Sequence, residues 1–319
     1  MALIDRNGAE VLIPEEASQE ILQAVPQNSV TMGMMYRLPD MTSNTRVLPV
    51  LSNLPLAYFV NGDSGFKKTA SMSWKGVKIH AEEIAVIIPI PENVLADSEY
   101  DIWAQVQPRI IEAIGATWDA AVLHGTNAPS TFPAGIVSGA VAAGNYVDLD
   151  TSVSLYQQLL GENGVIAKVE GDGYMPNGYI GAIAMRSKMR GTVDGNGLPI
   201  FGQAAYRDGV GLTKTRYQLD ATDIVFPPAD VMDPSKALLI GGDWRQAVWA
   251  MRQDITTKLL TEAVIQDPAT QEIVLNLAQQ DCVALRVTFR AGWALPNPTN
   301  RQNAIEASRY PFAVLRPQQ

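Results

Sequence analysis

Three features of the sequence predict an α+β fold. Residues 98–125 carry one long helical stripe, residues 46–91 carry two runs with strand alternation, and short strands alternate with helices between 151 and 260. With 319 residues, 47% of them hydrophobic and 18% charged, the chain can bury a large core as two compact units or one elongated one. Net charge is −9, from 24 basic and 33 acidic residues spread without long runs, which argues against an extended nucleic-acid footprint. No run of about 18 apolar residues occurs, and the start lacks a basic region followed by an apolar block, so a protein made and kept in the cytoplasm is expected. Cys282 is the only cysteine, which excludes an intrachain disulfide or a thiolate cluster. His80 and His124 are the only histidines, too few for a histidine-rich metal site.

The first 45 residues lack a convincing core pattern, apart from a short helix expected over Pro14–Leu22. Met32, Met34 and Met35 follow. Such flexible apolar side chains are expected to pack on something, either the chain's own body or a neighbour.

From Arg46 the character is strand. Pro49 and Pro55 belong at edges or bends, and NGDSGFKK supplies turn residues before a return run in which Met72, Trp74, Val77, Ile79 and Ala81 mark one alternation. Glu82-Glu83 breaks the phase, and Ile84, Val86, Ile88 and Ile90 resume on the other parity, as at a bulge or where a strand crosses between environments. The reading is a long hairpin with a buried base and a projecting tip around Asn61–Lys68. A two-stranded ribbon is marginal in water, so a projecting one needs a surface to lie on.

The helical stripe is the spine. Ser98 and Asp101 have capping-box spacing. Ile102, Val106, Ile110, Ile114, Trp118 and Val122 recur every four residues, Glu112 and Asp119 are expected to look outward, and Gly125 stops the helix after His124. Pro108 removes a donor, so the helix kinks there or splits in two.

Residues 127–150 form a Gly-, Ala- and Pro-rich boundary. Beyond it come a helix near Ser152–Leu160, ending there or extending past Gly161 to Val169, a strand at Tyr179–Ala184, a helix at Met185–Gly191, strands at Ile224–Pro227 and Ala237–Ile240, and alternation over Arg245–Arg252. The last strong β stretch is Cys282–Trp293. Val283, Leu285, Val287 and Phe289 share one face, and Arg286 and Arg290 the other.

Groups able to carry chemistry are few. Asp194-Gly195-Asn196-Gly197 resembles part of a calcium loop but lacks the later ligands, so a tight turn is favoured. Gly171 and Gly173 lack phosphate-loop spacing, and no serine sits in an elbow motif. Glu82-Glu83 point to opposite faces of a strand, which disfavours an acid/base pair and favours a bulge or an inter-subunit salt bridge. His124 is expected to meet the helix's terminal carbonyls, and the six tryptophans to pack in core or interface. No catalytic, cofactor or metal site emerges; an arm, a projecting hairpin and a two-part body do.

The segments LPVLSNLPLAYFVNGDSG, IAVIIPIPENVLADSEYDIWAQVQPRIIEAIGATWDAAVLHG, DGNGLPIFG, LLIGGDWRQAVWAMRQDITTKLLTEAV and LAQQDCVALRVTFRAGWALPNP, in this order, resemble the major capsid proteins of tailed bacteriophages with the Hong Kong 97 fold. The resemblance runs from about Ile13 to Pro298. It implies an N-terminal arm at 1–45, an extended loop at 46–91, a peripheral domain built on the spine helix at 92–126 and on strands at 255–300, an axial α/β domain at 127–254, and a C-terminal segment at 301–319. It further implies self-assembly, through arm and extended loop, into hexamers and pentamers of an icosahedral shell around double-stranded DNA that is enclosed without specific binding. The virion would assemble in the host cytoplasm, with no enzyme activity, cofactor or membrane. Portal, scaffolding and decoration proteins are further partners it allows.

Inter-subunit contacts are expected at Met34, Tyr58, Phe66, Lys67, Lys68, Trp74, Glu82, Glu83, Arg286 and Arg290. Some members of that family have a scaffolding domain ahead of the arm, whereas this chain starts almost at the arm. Some crosslink a loop lysine to a neighbour with help from a glutamate on the peripheral strand. Lys67 and Lys68 suit the lysine role, but Val287, Thr288 and Phe289 offer no carboxylate, so a non-covalent shell is expected. An encapsulin-like compartment shell is the alternative within the fold, distinguished by its cargo. A soluble α/β enzyme and a tail or decoration component are the alternatives outside it.

Overall fold

A computed structural model describes residues 29–60, 65–97, 102–193, 201, 203–207, 213–227, 231–267 and 269–318. The helix expected at Pro14–Leu22, the capping pair Ser98 and Asp101, the tip centre at 61–64 and the Asp194–Gly197 turn lie outside those residues. An arm helix, Val30–Met34, leads to β1 (Tyr36–Arg37), β2 (Thr45–Asn53), β3 (Ser73–His80) and β4 (Glu82–Pro91). A short helix, Glu92–Asp97, precedes the spine helix, Ile102–His124, and a further helix, Ile136–Ala143. After β5 (Tyr146–Asp148), the helix stops at Leu160 and does not extend past Gly161: Leu155–Leu160 and Val165–Gly171 are separate helices. Glycine makes the break: a Cβ at Gly161 would lie 2.4 Å from the Gln157 carbonyl oxygen, and one at Gly164 would lie 2.7 Å from that of Leu159.

Next come β6 (Gly178–Gly181), the helix Ile183–Gly191, β7 (Gln203–Arg207), β8 (Thr213–Leu219), β9 (Thr222–Val225) and β10 (Leu239–Gly242). A 3-10 turn at Trp244–Gln246 takes up the start of the expected Arg245–Arg252 alternation, and β11 runs from Val248 to Leu260. The hairpin of β12 (Val264–Gln266) and β13 (Ile273–Asn276), then β14 (Cys282–Ala294) and β15 (Phe312–Arg316), complete the chain.

These strands make two main sheets. The smaller has the order β1-β11-β14-β4, the larger β5-β15-β10-β6-β9-β8-β7. β11 therefore lies wholly in the smaller sheet, across residue 254, while β15, from the C-terminal segment, is an inner strand of the larger one. The period of two decides how the larger sheet is used. Ile180, Ile240, Phe312 and Val314 face the main core, which holds the spine helix and the apolar side chains of β14. Tyr179, Leu239, Ala313 and Leu315 face a second core, against Leu159, Val165, Val169 and Met185 of the covering helices. The spine helix thus lies between the two sheets. The parity change at Glu82-Glu83 is a crossing between environments: Ile79 and Ala81 belong to a small cluster under the ribbon, whereas Ile84, Val86 and Ile88 pack on the main core.

The spine helix is continuous through Pro108, whose side chain is exposed, so the element does not split. It ends at Gly125 with φ +67°, a left-handed conformation suited to glycine. Two expectations about its residues are corrected. Asp119 does not look outward: it is 0% exposed. It sits two turns beyond buried Ile111 on the side that receives the arm, where donors from the arm offset the cost of burial. His124 does not meet the terminal carbonyls; its Nε2 accepts the backbone N–H of Asp233 at 3.1 Å. Burial, then the nearby Lys236 charge, hold its pKa below the ordinary histidine value.

Candidate assembly surface

The ribbon of β2 and β3 is a two-stranded antiparallel sheet on its own, with Leu48 opposite Val77 and Leu51 opposite Trp74. Its base is held by Met41, Ile79, Ala81, Val248, Ala250 and Ala294, with Leu48 and Val77 packed alongside. At this base the chains approach closely: a Cβ on Gly292 of β14 would lie 2.2 Å from the His80 carbonyl oxygen.

At the outer end of the ribbon and beyond Asn53, where the pairing ends, apolar side chains stand in solvent. Phe59 and Phe66 are fully exposed, Leu56 is 75% exposed and Trp74 63%. Burying one such side chain is worth roughly 1.5–3 kcal/mol, so this surface favours association strongly. The two limbs of the tip still touch. The Tyr58 hydroxyl donates to the Lys68 carbonyl at 2.6 Å, and the Lys68 ammonium lies 5.7 Å from the Tyr58 ring centroid.

Five of the ten expected contact residues, Tyr58, Phe66, Lys67, Lys68 and Trp74, are thus gathered on this one element, all exposed. Glu83 and Arg286 are exposed on the smaller sheet. The other three have partners in their own chain. Met34 packs against the main core, Glu82 accepts the Thr131 hydroxyl at 2.6 Å, and Arg290 donates to the Asn44 side chain at 2.7 Å. Met32 and Met35 are buried in the main core, so of the two supports weighed for the arm, its described part uses the chain's own body.

What fixes the arm is Asp119, the carboxylate that the helical pattern placed on the outward face. Asp119 accepts the hydroxyls of Ser29 at 2.7 Å and Thr31 at 2.5 Å, and the backbone N–H groups of Val30 at 2.9 Å and Thr31 at 3.1 Å. Ser29 also caps the arm helix by accepting the Met32 N–H at 3.2 Å. Burial pushes the Asp119 pKa up while the four donors pull it down, and burial is the larger effect. Leu56 and Phe59 were also missed; the readable signal was the apolar run LPLAYFV between turn residues. Among the described residues no cluster of three or more His, Cys, Asp or Glu could hold a metal ion, and no helix is long and apolar enough to cross a membrane.

The model of the phage capsid family matches residues 9–300. The curated major capsid protein of Staphylococcus phage 80alpha is 23% identical over 284 residues, 86% of this chain and 78% of that protein. Among solved structures, a chain from Microbacterium phage Oxtober96 is 31% identical with a TM-score of 0.76, covering 99% of this chain and 100% of that one. One from Mycobacterium phage Cain is 29% identical with a TM-score of 0.75, covering 99% of each. With nearly its whole length matched by the family model and its fold shared with phage chains end to end, this protein belongs to the phage capsid family.

Proposed function

We propose that this chain is a major capsid protein whose copies associate, through ribbon and arm, into an icosahedral shell that encloses double-stranded DNA. One observation carries the reading: among the described residues, the most exposed large aromatic side chains stand on the outer ribbon and its tip, where the chain's own body leaves them uncovered. A sister copy supplies the missing surface, and repeated heterologous contact closes into a shell by symmetry.

In this reading the seven-stranded sheet and its helices form the axial domain that meets at the centres of hexamers and pentamers. The smaller sheet and the spine helix form the peripheral domain. The net charge of −9 suits a wall that repels phosphate and holds its DNA without binding it. The virion is then the site of action, assembly takes place in the host cytoplasm, and portal, scaffolding and decoration proteins are further partners. No chemistry is assigned to the chain.

Negative-stain microscopy of the purified full-length protein, alone and with its phage's scaffold, tests the reading. Closed isometric particles are expected; a compact monomer under every condition would overturn it. Enzyme cargo instead of DNA inside particles from infected cells would favour the compartment alternative. The shell is held without covalent links, so boiling particles in detergent and reductant should give one band near 34.5 kDa, and a ladder would contradict this.

A further inference from the structure

Between the last residue of β14 and the first of β15, residues 295–311 run as a strap that joins the two sheets and touches the ribbon on the way. On the side of the larger sheet it is held by a dense polar cluster. Asp172 is buried and accepts the Asn303 side chain at 2.7 Å, the Asn145 side chain at 2.6 Å and the Tyr310 N–H at 2.9 Å. Arg309 is only 2% exposed, and its guanidinium donates to the Asn297 carbonyl at 3.1 Å, the Asn297 side-chain oxygen at 3.1 Å and the Asn303 carbonyl at 2.8 Å. Asn297, at φ +45°, returns a bond to the Arg309 carbonyl at 2.8 Å and accepts the Tyr174 hydroxyl at 2.9 Å. A buried guanidinium with its fork satisfied by the strap's own backbone gives the loop one shape.

The other side of the strap holds the ribbon. The Thr299 N–H donates to the Leu51 carbonyl at 3.0 Å, Arg301 donates to the Pro55 carbonyl at 3.2 Å, and Glu306 pairs with Lys75. These bonds fall beyond the small apolar cluster at the base, on the outer part of β2 and β3 and on Pro55 just past the end of β2. The base fixes where the ribbon leaves the body; the strap contacts fix its direction.

We propose that the 295–311 strap is the positioning element of the ribbon, carrying the placement of the larger sheet into the angle at which the ribbon is offered to a sister copy, with Glu306 and Thr299 as the grip and Asp172 and Arg309 as the anchor. The link to a sister copy rests on the assembly reading above; the link between sheet and ribbon does not. A shift of the larger sheet relative to the smaller one would then swing the ribbon.

The test uses the full-length chain before assembly and reads hydrogen exchange of residues 45–53 and 73–80, together with particle yield. Glu306→Lys places like charges against each other where Glu306 is exposed and Lys75 half-buried, so the melting temperature should change little while ribbon amides exchange about threefold faster or more. Combining it with Lys75→Glu restores the pair and should restore both exchange and yield. Asp172→Asn touches no ribbon residue, yet it loses at least one of three accepted bonds and should loosen the ribbon as Glu306→Lys does. Unchanged ribbon exchange in Glu306→Lys, or no rescue by the charge swap, overturns the proposal; so does a folded Asp172→Asn protein with a wild-type ribbon. Should wild-type protein form no particles while the exchange pattern holds, the assembly reading fails and the strap stands.

Discussion

Replacing Asp119 with alanine should release the arm from the spine helix. The substitution leaves two hydroxyls and two backbone N–H groups of residues 29–31 without their acceptor in a site from which water is excluded. Each unsatisfied buried donor costs about 1–3 kcal/mol, and removing the buried charge returns part of that, so a net loss of roughly 3–5 kcal/mol is expected. Asp119→Asn keeps the shape but sets an amide donor among donors, for a loss of about 2–3 kcal/mol.

Denaturant unfolding of the unassembled chain measures the loss, and hydrogen exchange at Thr31 and Met32 locates it. Glu112→Ala is the control on the same helix, since the Glu112–Arg109 pair is exposed and should be worth under about 1 kcal/mol. The pH dependence has a definite sign. Burial raises the Asp119 pKa, so the docked state binds the proton more tightly than the free arm; this group's contribution is complete below the ordinary carboxylate range and is lost as pH rises through the folded value. Mild acid therefore does not free the arm through Asp119. An alanine variant as stable as the Glu112 control, with unchanged exchange at Thr31, would refute the reasoning.

Three further outcomes are expected. Phe59→Ser and Phe66→Ser should leave subunit stability within about 0.5 kcal/mol of wild type, because both rings are already in water, while removing roughly 1.5–3 kcal/mol per contact from assembly; light scattering at graded protein concentration reads the loss. The lowered His124 pKa means that its contribution is present above the ordinary histidine value of about 6.5 and is lost as pH falls through the folded value, so stability should drop on acidification below neutrality. His124→Gln should flatten that slope in melts taken across the same range. Gly292→Ala drives a methyl against the His80 carbonyl and should cost about 1–3 kcal/mol by thermal melting, with faster exchange at the ribbon base.

The elements were legible where one periodicity dominated. The four-residue stripe of the spine, the even-numbered apolar face of β4 and the alternation of Cys282–Trp293 all appear where the pattern puts them, because burial of one face is a local property of the chain. The break at Gly161 was less legible, since a glycine in a helical run becomes a break only when its backbone is crowded. Five of the contact candidates share the ribbon because composition alone marks an apolar tip between turn residues. Met34, Glu82 and Arg290 found partners within the chain, and such partners belong to elements far away in sequence.

What the sequence by itself determined, then, was the inventory: a spine, a ribbon, an arm and a body. Only the tertiary structure decided which charges turn inward and which loops bear on the ribbon. Asp119 meets its donors across about 90 residues, and the strap reaches Asp172 across more than 120. The free energy of a buried charge depends on what the fold brings to it, and periodicity along one element carries no trace of that.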